Sequence, residues 1–132
     1  MKRLLKLLLV SGVLIASLLA ITYQSTLEKL SLDIGFDVTQ GKLISIKQEG
    51  FVDIETFAKI DYPVYEMNKV LNNGEWKECP MESSLRENLN ENVYNEISFQ
   101  SGYYKYIENS GFMIKLLAYD VNKEILYYYC IE

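Results

Sequence analysis

Asp53 and Glu55 stand two residues apart in a run that alternates like a strand. Val52, Ile54, Thr56, Ala58 and Ile60 fall on one face, and Asp53, Glu55, Phe57 and Lys59 on the other. Same-face neighbours at this spacing lie about 7 Å apart, a separation at which paired carboxylates can act on a glycosidic bond. Eighteen Asp and Glu in 132 residues also produce such pairs by chance, and a sugar cleft is large for so short a chain. Asp120, Asn122 and Glu124 imitate the first three ligands of a calcium loop, but Ile125 replaces the required glycine and Ile131 cannot coordinate at the closing position, so a hairpin turn is the better reading. Histidine is absent altogether. That excludes the usual serine and cysteine triads, His-ligated zinc and imidazole proton shuttles. The expectation is a protein without catalytic activity, cofactor or metal.

Cys79 and Cys130 offer redox chemistry. In an oxidising compartment a bridge between them would close a loop of about fifty residues and stabilise the domain by roughly 4 kcal/mol in the chain-entropy picture. The alternative is two buried thiols, and the spacing decides only that no C-x-x-C redox centre is present. Tyrosine is the third feature. All eleven lie outside the leading apolar stretch, and Tyr103, Tyr104, Tyr106, Tyr127, Tyr128 and Tyr129 crowd the last third. With Trp76 they are the expected binding residues, because a phenolic sheet face suits sugar stacking or a protein interface. The competing reading is that tyrosines, as good strand formers, fill a half-wet sheet.

The elements that must position these residues follow from periodicity. Leu32, Ile34, Phe36 and Val38 alternate with Asp33, Gly35 and Asp37 and predict a strand; Thr39–Lys42 turns, and Leu43–Lys47 returns as its hairpin partner before a break at Gly50. The alternating run described above is the third strand. From Asp61, Tyr62 and Pro63 the spacing becomes helical, with Val64, Met67, Val70 and Leu71 as an apolar stripe ended by Asn72, Asn73 and Gly74. Trp76 lies in a short extended piece closed by Pro80. Ser84 and Glu87 read as a capping box for a second helix with Leu85, Leu89 and Val93 on one face. Gly102–Ile107, Phe112–Tyr119 and Glu124–Ile131 are predicted strands with both faces apolar, hence central and covered on both sides, or on one side by a partner. The fold class expected is α+β: an N-terminal membrane-anchor helix, then a small antiparallel sheet with two helices packed on it.

The leading stretch supplies the context. Lys2, Arg3 and Lys6 precede Leu7–Ile21, which carries no charge. Such a segment is a signal peptide or a short signal anchor; with residues 4–22 counted it is long enough to span, and Ala20 lacks a small partner at Leu18 for cleavage, which favours the anchor. The cations place the N-terminus in the cytoplasm and the rest outside. The expected organisation is an anchor over 1–22, a helical neck over 23–31 and an extracytoplasmic domain over 32–132. That exported part holds ten Lys and Arg against eighteen Asp and Glu, a net −8. Such a surface repels phosphate backbones, so no nucleic-acid partner is expected, and it serves solubility or a cationic partner.

Trp76 and Pro80, then Gly102, Tyr103 and Tyr104, then Ala118, Tyr119 and Asp120 with Leu126, Tyr127 and Tyr128, form a pattern that resembles small exported proteins of low-GC Gram-positive bacteria over about the last sixty residues. The resemblance implies export and a compact fold, and brings no activity to any residue. Two functions are then expected. One is a membrane-anchored binding module for an exported protein, peptide or wall glycan, immunity or inhibitor proteins included. The other is a structural or accessory subunit of a larger membrane complex.

Overall fold

The computed structural model describes residues 1–109 and 113–132, the side chain of Tyr23 excepted. Phe112, expected to open a strand, lies outside the described residues. The chain is α+β and divides into two compact units, Met1–Thr39 and Gln40–Glu132.

The first unit is one helix, α1 (Lys2–Ile34), 33 residues and about 50 Å long at 1.5 Å per residue. It is long and apolar enough to cross a membrane, with a mean hydropathy of 2.5 over its most apolar window. In its apolar part three hydroxyls are satisfied within the helix: Ser11 donates to Leu8 O, Ser17 to Val13 O and Thr22 to Leu18 O, each at 2.9 Å. Bonds of this kind remove most of the cost of placing a hydroxyl in hydrocarbon. α1 also overturns one expectation, since the strand predicted over Leu32–Val38 is not formed. Leu27, Leu30 and Ile34 are buried at helical spacing, so a period of three and four prevails over the period of two read further along. Gly35 then ends the helix at φ 97, its N–H donating to Ser31 O, and Ser31 Oγ accepts from Val38 N at 2.9 Å.

The second unit is built on a six-stranded, wholly antiparallel sheet in the order β1-β2-β6-β5-β4-β3. Its strands are β1 (Lys42–Glu49), β2 (Glu55–Asp61), β3 (Lys77–Glu78), β4 (Gly102–Asn109), β5 (Met113–Asp120) and β6 (Ile125–Ile131). β1 therefore pairs with β2 around Gly50, not with the segment before it. The central strands are covered as their composition demands: Leu116, Ala118, Tyr127 and Tyr129 on one face and Leu117, Tyr119, Tyr128 and Cys130 on the other are all buried. The first of these faces packs with Met81, Val93 and Ile97.

α2 (Val64–Leu71) follows Pro63 as expected, with Met67 buried. Its entry is tied to the β5–β6 turn, where Glu124 Oε1 accepts from Val64 N at 3.0 Å and Glu124 O from Tyr62 N at 2.9 Å. The second predicted helix is split. Ser83–Asn88 is a 3₁₀ helix without a side-chain cap, and α3 (Glu91–Ile97) starts afresh at Asn90, whose side chain accepts from Asn92 N at 3.0 Å. The Ser84–Glu87 capping box is thus displaced by an Asn cap six residues beyond Ser84, as expected where asparagine competes for backbone amides.

Candidate functional site

Each residue singled out from the sequence has a definite place. Tyr104, Tyr127, Tyr128 and Tyr129 are buried, and Tyr103, Tyr106 and Trp76 are half-buried. The register splits the rings between the faces: Tyr103 and Tyr128 share one, while Tyr104, Tyr106, Tyr127 and Tyr129 share the other. The exposed phenolic face expected from composition is not formed. The rings are core, Phe57 stacking on Tyr127 at 6.1 Å between centroids and standing edge-on to Tyr129 at 6.2 Å.

Of the two alternatives left open for the cysteines, the structure has the thiols, Cys79 half-buried and Cys130 buried. Cys79 N–H donates to Gly102 O at the β4 edge, whereas Cys130 pairs with Lys115 on β5, in the row of Ile107 on β4. Strand spacing and rise put the two on the order of 20 Å apart, far beyond the ~7 Å limit for bridging. Burial, aided by the charge of Asp120, pushes the Cys79 thiol up to about 11, so it is protonated and inert at neutral pH.

The carboxylate pair is separated too. β2 begins at Glu55, and Asp53 sits in the bend before it, fully exposed. Glu55 instead accepts a hydrogen bond from the Tyr129 hydroxyl at 2.6 Å. That phenol is pushed well above its usual range, first by burial and then by the Glu55 bond, while the Asn90 backbone also reaches it from the start of α3. Beside it is a cavity of about 110 Å³ lined by residues that include Lys47, Glu49, Glu55, Asn90 and Glu96. This is below the ~300–1,000 Å³ of ordinary small-molecule sites. Two of its three acids are engaged in structure, Glu96 with Lys59 and Glu55 with Tyr129. At the β5–β6 turn Asp120 Oδ1 accepts from Asn122 N at 3.0 Å and Lys123 N at 3.2 Å, so the calcium-like residues shape a hairpin. Among the described residues no three His, Cys, Asp or Glu gather into a metal-binding group.

The surface that sequence reasoning missed is the tip of the β1–β2 hairpin. Glu49 pairs with Glu55, leaving Gly50–Ile54 as the loop, and there Phe51 is 106% and Val52 91% exposed. The loop is held at its base, because Ile54 and Glu132 exchange backbone hydrogen bonds at 3.0 Å in both directions. Gly50 turns the chain at φ 113, where an added Cβ would collide with Asp53 O. The break at Gly50 is where the sequence put it, but the alternation taken from Val52 onward starts the strand three residues too early, since β2 begins at Glu55. Exposed Ile44 and Ile46 lie along the adjacent edge, and the exposed Glu49 and Asp53 flank the tip in sequence. The arrangement is an apolar knob with acidic neighbours on a fixed base. No protein-family model, curated protein or solved structure matches the chain.

Proposed function

We propose that this chain is a membrane-anchored extracytoplasmic interaction module, and that it engages an exported protein or peptide through the β1–β2 hairpin tip. The carrying observation is the pair Phe51 and Val52, two adjacent large apolar side chains, 106% and 91% exposed, on a loop fixed at its base. A knob of that kind is costly in solution and useful when a partner covers it. The exposed carboxylates Glu49 and Asp53 beside the tip select the occupant: an apolar socket rimmed by Lys or Arg. Wall glycan is the poorer fit, since four of the seven rings that would stack on sugars are buried and the other three are half-buried.

Three cations ahead of the apolar stretch support an N-terminus in the cytoplasm and the folded unit outside. The role of a subunit whose sheet is capped by a larger complex loses its motive, because both faces of β5 and β6 are buried within this chain. The test is copurification of tagged full-length protein from membranes in mild detergent. Wild type should retain a discrete exported partner, and the Phe51→Ser, Val52→Ser double variant should lose it while keeping its melting temperature. Retention of the same proteins by both sinks the reading.

A further inference from the structure

The sheet ends in two unlike edges: β3 contributes two residues, β1 eight, and among the described residues no strand lies beyond β1. β1 carries two features that usually protect an edge, lysines and a bulge. Here they define a register for self-pairing instead. The shift between Leu43 and Ser45 makes Ile44 an extra residue, so that Lys42 opposes Asp61 and Glu49 opposes Glu55. Asp61 and Glu55 are an even number of residues apart on β2, hence Lys42 and Glu49 project from the same face although an odd number apart on β1.

Two copies of β1 laid antiparallel about a twofold axis at Ile46 then match position by position. Ile46 meets its counterpart, Ser45 meets Lys47, Leu43 meets Gln48, and Lys42 meets Glu49 at both ends. Moving the axis one residue either way sets Lys47 against Lys42 or against itself, and like charges directly opposed repel. Glu49 and Glu55 already face each other across β1 and β2, so a Lys42 from the second copy would extend that row with the charge it lacks. Ile44 and Ile46, 52% and 38% exposed, supply apolar area at the seam.

We infer that β1 is a homotypic pairing edge through which a second copy of this chain joins its sheet to the first, independently of the hairpin-tip contact. Cross-linking of the full chain in mild detergent, in a Cys79→Ser background with Cys130 buried, reads this directly. Thiols introduced by Ile46→Cys would face each other with Cα atoms about 4.5–5.5 Å apart, within disulfide range. Those introduced by Gln48→Cys would lie on the order of 13 Å apart. Under mild oxidation Ile46→Cys is expected to run as a covalent dimer and Gln48→Cys as a monomer. Adding Glu49→Lys to Ile46→Cys should lose the dimer, and adding Lys42→Glu as well should restore it. A monomeric Ile46→Cys, equal cross-linking at both positions, or indifference to the charge reversals overturns the inference. Adding Phe51→Ser and Val52→Ser to Ile46→Cys leaves cross-linking unchanged, which separates this edge from the tip.

Discussion

Replacing Tyr129 by Phe removes one oxygen from a ring that is 2% exposed and leaves its packing in place. The lost hydroxyl donates to Glu55 Oε1 at 2.6 Å and is met by the Asn90 backbone, so it links β2 to the start of α3. A hydrogen bond to a charged acceptor contributes about 1.5–3 kcal/mol. Glu55 is half-buried beside a cavity, and water can replace the missing donor there, so the lower half of the range applies, about 1.5–2 kcal/mol. For a unit of this size each kcal/mol moves Tm by about 4–8 °C, which gives an expected fall of roughly 6–15 °C. The assay is thermal unfolding of the full chain in mild detergent, followed by the near-ultraviolet circular dichroism of the buried tyrosines. Tyr65→Phe is the control, at an exposed ring where the change should stay within about 0.5 kcal/mol. Combined with Glu55→Gln, Tyr129→Phe should show a coupling of about 1 kcal/mol. A Tyr129→Phe shift no larger than that of Tyr65→Phe would refute the role assigned to this hydroxyl.

Alkaline unfolding should follow from the same chemistry. Burial first, and then carboxylates beside them, raise the Tyr119 and Tyr129 phenols above their unfolded value, so their contribution is complete below about pH 10 and is lost as pH climbs toward the folded values. The raised Cys79 thiol begins its own loss at about pH 9, so Tm should be flat from neutral pH to about 9, decline gently from there, and fall steeply beyond about 10 as phenolate absorbance rises. Cys79 and Cys130 should both alkylate in denaturant and only slowly in the native state, and a bridge between them found by mass spectrometry would contradict the sheet order. Gly102→Ala should destabilise by about 2 kcal/mol or more, seen as a lowered Tm, since φ is +153 and the new Cβ would strike Tyr119 O. Leu14→Arg should shift protein from the alkali-resistant membrane pellet to the supernatant, because a cation at mid-segment costs about 2.5–3.5 kcal/mol on insertion scales.

Where one physical signal stood alone, the sequence was legible. Thr56, Ala58 and Ile60 do share a face opposite Glu55, Phe57 and Lys59, and β5 and β6 are central because neither face offers enough polarity to meet water. Pro63 and Gly74 bracket α2 for reasons confined to their own backbones. Errors arose where two periods competed. Leu30, Leu32, Ile34 and Val38 satisfy a strand and a helix almost equally, and continuation of a helix already nucleated costs less than starting a strand. The candidate site was misread for a different cause: tyrosine content says nothing about which way a ring points, and four of the six rings proposed for binding are core. Val52 and Asp53 look like strand residues in the sequence because alternation cannot show where a hairpin turn ends.

β2 and β6 are neighbours in space although their paired residues, such as Glu55 and Ile131, stand at opposite ends of the unit. Assembly must therefore wait for β6, since only that strand joins the early hairpin to the later one. A polypeptide made from its N-terminus would carry β1 and β2 as an unsupported ribbon until β6 emerged, and contacts so distant in sequence form slowly. Loss of Ile125–Glu132 would then leave two hairpins with nothing between them. What remained would be two aggregation-prone fragments in place of one domain.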